Sequence, residues 1–159
     1  MDKKIYSFEA LMEKVNHEKE SGAKIVLCHG CFDLFHIGHL RHLKKAKCFG
    51  DKLVVTITPD NFVNKGNDRP AFNHNLRAEM LEAINIVDYV GINNWDSAVN
   101  TLEKLRPDVY VKGSDYLGED DSVNPNIHLE KEKCEELGIK LVFTKELSSS
   151  STKLLSLYF

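Results

Sequence analysis

The chain has 159 residues, 42% of them hydrophobic and 28% charged, with a net charge of -3. That is enough to bury the core of one domain, and the charge balance gives no global nucleic-acid signal. No apolar run approaches the roughly 18 residues that a membrane span needs, four cysteines make no disulfide framework, and Met1-Asp2-Lys3-Lys4 leads into mixed polar sequence, so a cytoplasmic protein is predicted.

In chain order, residues 7–21 carry Phe8, Leu11, Met12 and Val15 at helical spacing, with Ser7 as N-cap and Gly22 as stop. KIVLC (24–28) reads as a buried strand. Residues 37–49 form a helix closed by Gly50, and KLVVTIT (52–58) is a second strand. Residues 59–72 are rich in turn formers and read as a loop. A helix over 74–85 follows Asn73 as N-cap, and VDYVGI (87–92) is the third strand. Residues 96–105 form a helix behind Asp96, stopped by Pro107, before DVYVKG (108–113), the fourth strand. A polar loop (114–125), a helix (126–137) ended by Gly138, a fifth strand (139–144), a serine run and a short helix (151–157) complete the chain.

Five apolar runs separated by helices predict a Rossmann-like α/β fold: a doubly wound five-stranded parallel sheet with helices on both faces. Residues 1–159 then form a single domain, with an N-terminal helix in 1–22 and a core in 23–159. In such sheets ligands bind beyond the carboxyl ends of the strands. The unusual residues of this chain fall in the loops that open there.

The most unusual segment is HGCFDLFHIGHLRHLKKA (29–46), which holds four of the seven histidines. One reading is metal, from Cys28-x2-Cys31-x4-His36-x2-His39. Against it, a zinc knuckle stands alone, whereas this segment lies inside a βαβ unit. The other reading is phosphate. Gly30 allows a tight turn, and Gly38 lets a ligand approach the backbone at a helix start. His36 and His39 stand three apart, so both imidazoles share one face of the first turn. On this reading His29 shapes the pocket and His42 packs.

GCFDLFHIGH also resembles the HxGH signature of the nucleotidyltransferase superfamily. NKGNDRPAFNHNLRAEMLEAI, DVYVKGSDY and SSSSTKL resemble, in order, segments of the adenylyltransferase domain of bacterial heptose-phosphate kinase/adenylyltransferases, and the chain is also similar to glycerol-3-phosphate cytidylyltransferase. The resemblance implies that His36 and His39 contact nucleotide phosphates, and that Lys65 and Arg77 neutralise phosphate charge. It places Gly30, Cys31, Phe32, Asp33, Gly38, Lys112, Gly113, Asp115, Tyr116, Ser150, Ser151 and Thr152 at the nucleotide, although Asp33 is equally a turn residue and Tyr116 equally a packing one. Arg69 either reaches a substrate phosphate or stays solvated. Three positions depart from the pattern: Lys145 stands where arginine is common, His29 where the heptose-phosphate group has asparagine, and Cys31 where the glycerol-phosphate enzymes have threonine.

The activity implied is transfer of a nucleoside monophosphate to a small phosphorylated acceptor such as heptose 1-phosphate. Mg²⁺ would be carried by the substrate, with no metal held by the protein itself. ATP, CTP and GTP remain open as donors. A homodimer and a separate sugar kinase are expected, and neither nucleic acid nor membrane as a partner. The competing readings are a glycerol-3-phosphate or phosphonate cytidylyltransferase, a tRNA-synthetase fragment, a zinc protein and a nucleotide-binding module without turnover. For the synthetase fragment the chain is short, and no KMSKS is present.

Overall fold

The computed structural model describes residues 3–114, 126–145 and 155–157. The elements run β1 (Ile5–Tyr6), α1 (Phe8–Glu20), β2 (Ile25–Gly30), α2 (Ile37–Lys47), β3 (Lys52–Ile57), α3 (His74–Glu82), β4 (Tyr89–Ile92), α4 (Val99–Leu105), β5 (Val109–Gly113), α5 (Ile127–Leu137) and β6 (Lys140–Thr144). Residues 155–157 are helical. No helix among the described residues is long and apolar enough to cross a membrane.

All strand pairs are parallel, in the order β1-β4-β3-β2-β5-β6. The sheet therefore has six strands, not five. The extra strand is β1, two residues paired with Val90 and Gly91 of β4. Two residues show no periodicity, so the sequence gives no strand signal there.

The strands are apolar throughout because both faces are covered. Val26, Cys28, Val55, Ile57, Val109 and Val111 pack with Leu43 and Ala46 of α2 and Ala78 and Leu81 of α3. Their neighbours Ile25, Leu27, Val54 and Tyr110 face the other way, onto Leu11 and Val15 of α1, Leu102 of α4 and Cys134 of α5.

Ser7 and Asn73 cap α1 and α3, accepting from Ala10 N at 3.3 Å and Leu76 N at 3.1 Å. Asp96 does not cap α4, which starts three residues later, behind Ala98. Gly50 does not end α2, which stops at Lys47 with Cys48 as its cap. A side chain at Gly50 would place its Cβ 2.7 Å from the Lys24 carbonyl oxygen, so glycine is required by the close approach of the chain entering β2.

From β2 the chain winds outward to β3 and β4, and from β5 it winds the opposite way to β6. The switch point lies between the carboxyl ends of β2 and β5, at Gly30 and Gly113.

Candidate active site

Residues 31–36 join β2 to α2 at this switch point. The backbone there is unusual: Phe32 has φ 51° and Leu34 φ 49°. Left-handed conformations cost a non-glycine residue about 1–2 kcal/mol, and such strain concentrates at functional sites. The bend turns Phe32 into the core, where its ring meets His39 edge-on at 5.4 Å. Phe35 meets the same imidazole at 5.3 Å.

The two histidines cap their own helix. His36 is the extended N-cap residue of α2, and its Nδ1 accepts from Gly38 N at 3.1 Å. His39 Nδ1 accepts in return from His36 N at 3.3 Å. The rings lie 4.0 Å apart, tilted by 31°. An imidazole nitrogen that accepts from an amide cannot carry a proton, so each neutral ring bears its proton on Nε2.

Burial pushes His39 down to about 3, helped by any proton that His36 or His42 takes up and by the Lys65 charge, and opposed by Asp33. His39 is therefore a neutral Nε2–H donor at physiological pH. Gly38 is buried and gives its amide to His36, so that amide serves the cap.

Asp33 is fully buried. Its Oδ2 accepts from Arg69 Nε and Ala71 N, each at 2.8 Å, and its Oδ1 accepts from Phe72 N at 3.1 Å. Desolvation alone would raise its pKa, but the Ala71 and Phe72 amides and Arg69 outweigh it and hold the carboxyl below its ordinary value. Asp33 thus ties loop 59–72 to the histidine loop.

Arg77 is just as engaged. Its Nη1 donates to Cys31 O at 2.6 Å, its Nη2 to Thr58 O at 2.8 Å and Asp60 Oδ1 at 2.7 Å, and its Nε to Phe72 O at 2.9 Å. It gathers the ends of β2, β3 and loop 59–72 from behind. Asp60 also meets His74 Nδ1 at 3.0 Å. Lys65 is exposed on the loop, within electrostatic reach of His39.

At the end of β5, Lys112 is buried with its Nζ 3.5 Å from Glu130 Oε2. Glu130 also accepts from Tyr110 Oη at 2.9 Å and Ala98 N at 3.2 Å. His29 sits nearby, bonded to Thr56 Oγ1 at 2.9 Å. His42 is bonded to Thr144 Oγ1 at 2.8 Å, linking α2 to the end of β6, so it does more than pack. Burial, reinforced by the Lys112 charge, holds His29 and His42 each at about 4.

The structure thus gathers His36, His39, Phe32, Asp33, Arg69 and Arg77 around the β2–α2 loop, with Cys31 and Gly30 beneath them. Lys145 is exposed just past β6. Asp115, Tyr116, Ser150, Ser151 and Thr152 lie outside the described residues. Sequence reasoning missed Asp60, Thr58 and Glu130. Asp60 and Thr58 stand among turn residues, and Glu130 looks like one more charge on an amphipathic helix.

Among the described residues no three His, Cys, Asp or Glu side chains converge to hold a metal. The chemistry of the donors agrees: both histidine Nδ1 atoms accept from amides, Asp33 is surrounded by donors, and Cys28 packs in the core. The described residues do not fit a resident metal site.

Residues 27–154 match the family described as cytidylyltransferase-like. Proteins named bifunctional protein HldE are similar: that of Geotalea uraniireducens is 43% identical over 120 residues, and that of Helicobacter pylori strain HPAG1 42% over 119. Each match takes in 74% of this chain but 24% and 25% of the relative, so the chain spans about a quarter of their length. Among solved structures, a lipopolysaccharide core biosynthesis protein from Thermoplasma volcanium GSS1 matches with TM-score 0.63 and 27% identity, over 80% of this chain and all of that one. A pantoate-beta-alanine ligase from Francisella tularensis matches with TM-score 0.63 over 92% of this chain and 69% of that one, and at 16% identity shows the fold alone.

Proposed function

Since the chain belongs to the cytidylyltransferase-like family of nucleotidyltransferases, we propose that it moves a nucleoside monophosphate from a nucleoside triphosphate to a small phosphorylated acceptor. A sugar phosphate such as heptose 1-phosphate is the first candidate acceptor. An acceptor phosphate oxygen attacks the α-phosphorus in line, the bond to the β-phosphate breaks, and pyrophosphate leaves with its electron pair. The acceptor phosphate is ionised at neutral pH, so no general base is required. Catalysis is then positioning plus stabilisation of the charge that develops on phosphate oxygens.

The observation that carries this reading is the His36–His39 pair, two Nε2–H donors fixed in tautomer by a shared helix cap at the switch point. A neutral donor stabilises developing charge without itself losing a proton. Lys65 adds an exposed positive charge from loop 59–72. Arg77 acts as a positioning residue that holds the loop ends, and Arg69 faces the acceptor. Gly30, Cys31, Phe32, Gly38, Lys112 and Gly113 frame the nucleotide, with Asp115, Tyr116, Ser150, Ser151 and Thr152 completing its site. Magnesium arrives bound to the triphosphate, as part of the substrate. A kinase activity outside this chain supplies the acceptor, and the protein works as a homodimer in the cytoplasm.

The test is a matrix of ATP, CTP, GTP and UTP against sugar 1-phosphates and glycerol 3-phosphate, scored by pyrophosphate. One acceptor-dependent pair supports transfer. Tight nucleotide binding with no pyrophosphate from any pair would make the chain a binding module.

A further inference from the structure

Arg69 and Arg77 serve the same loop but are satisfied differently. Arg77 reaches four oxygen acceptors through its three nitrogens. The Arg69 side chain is only 8% exposed, and its Nε donates to Asp33 Oδ2 at 2.8 Å. Its Nη2, however, is shut off from solvent and meets no hydrogen-bond acceptor among the described residues. Burying a charged donor without a partner is costly, so the fold holds this nitrogen in place at a loss.

Asp33 sets the direction of that nitrogen. The carboxylate is fixed by the Ala71 and Phe72 amides, and through Nε it fixes the plane of the guanidinium. Between the two anchors of the loop, Asp60 and Asp33, residues 64–68 make no hydrogen bond among the described residues. Gly66, with φ 99°, and Asp68, with φ 61°, bend this arch, and Lys65 lies on it. The arch can shift without breaking a described hydrogen bond.

We propose that Arg69 Nη2, reached when this arch shifts, is the subsite for the acceptor's phosphate, and that Asp33 is its positioning residue rather than a nucleotide ligand. The ligand is a dianionic phosphate monoester. Asp33 already balances part of the Arg69 charge through Nε, so Nη2 offers a directed donor, and the planar guanidinium fork suits phosphate oxygens. Asp33, which holds Arg69, stands on the same β2–α2 loop as His36, so the attacking phosphate sits beside the reacting α-phosphate. The inference rests on the nucleotidyl-transfer reading of the same site.

Two measurements on Arg69→Gln, Arg69→Lys and Asp33→Asn test it. The first is steady-state kinetics with the best donor and acceptor of the matrix above. Arg69→Gln is expected to raise the acceptor KM by about tenfold or more, the worth of one charge-assisted hydrogen bond, with the nucleotide KM within about twofold of wild type. Arg69→Lys falls between, and Asp33→Asn follows Arg69→Gln. Equal rises in both KM values, or a fall in kcat alone, would overturn the assignment. The second is calorimetry with inorganic phosphate, which needs no turnover. Binding by wild type and its loss in Arg69→Gln upholds the subsite even if every acceptor is silent, in which case only the transfer reading falls. Equal binding by both proteins removes the subsite. If Arg69→Gln does not fold, Arg69→Lys, which keeps the charge but not the fork, carries both measurements.

Discussion

His36 combines two jobs that substitution can separate. As N-cap it holds the first turn of α2, and in the proposed transfer its imidazole offers Nε2–H to phosphate. His36→Ala loses both, and is expected to cost about 1 kcal/mol of stability and about 10²–10³ in kcat. His36→Asn keeps a good capping side chain without an imidazole, so thermal denaturation should show stability near wild type while turnover stays low. Recovery of turnover in His36→Asn would make the cap, and not the ring, the source of activity. The three-residue spacing of the pair was legible in the sequence. The reciprocal cap was not, because histidine is no habitual N-cap and its Nδ1 acts as an acceptor only in a fixed tautomer. Nor does the sequence show how the arginines are held: Arg77 reads as a phosphate cation and Arg69 as a substrate contact or a solvated residue, and only their partners in space show that Arg77 is fully engaged and Arg69 is not.

At the scale of elements, local chemistry predicted most of what forms. Ser7 and Asn73 cap the helices they precede, and Gly138, with φ 69°, ends α5. The failures have a common cause, which is that the deciding contact is distant in sequence. Gly50 reads as a helix stop, but it is glycine because Lys24 approaches it. β1 forms only because β4 presents an open edge. Gly50→Ala should therefore destabilise the fold by about 1–3 kcal/mol in urea denaturation, since backbone cannot yield as a side chain can. A neutral or stabilising result would restore the helix-stop reading. Asn73→Ala should cost about 1 kcal/mol. Because Asn73 stands between Phe72, which Arg77 holds, and the start of α3, it should also weaken turnover.

Across the whole molecule, one buried and two half-buried histidines give the fold a directional response to pH. His29 and His42 titrate at about 4 and His39 at about 3, against 6.5 in the unfolded chain, with burial the leading cause for each. Between these values the unfolded chain binds more protons than the folded one, so stability falls as pH falls. Full stability is present above about pH 6.5 and declines towards pH 4, by at most about 1.4 kcal/mol per pH unit for each histidine. Melting temperatures from pH 8 to 5 check this: they should hold level to about 6.5 and then drop, and the drop should shrink in His29→Asn. The parallel α/β plan was legible in the sequence. It left the sixth strand and the Lys112–Glu130 pair unforeseen, because a buried ion pair leaves no pattern in a single sequence. The account as a whole depends on transfer at the His36–His39 pair. The most direct test follows a nucleoside triphosphate labelled at the α-phosphate, with a phosphorylated acceptor, in wild type and His39→Ala. The account predicts the label in a nucleoside diphosphate joined to the acceptor through a new phosphoanhydride bond, with one equivalent of pyrophosphate, slowed by about 10²–10³ in the folded variant. Label appearing only as free nucleoside mono- or diphosphate, or the joined product formed at the wild-type rate by His39→Ala, would contradict it.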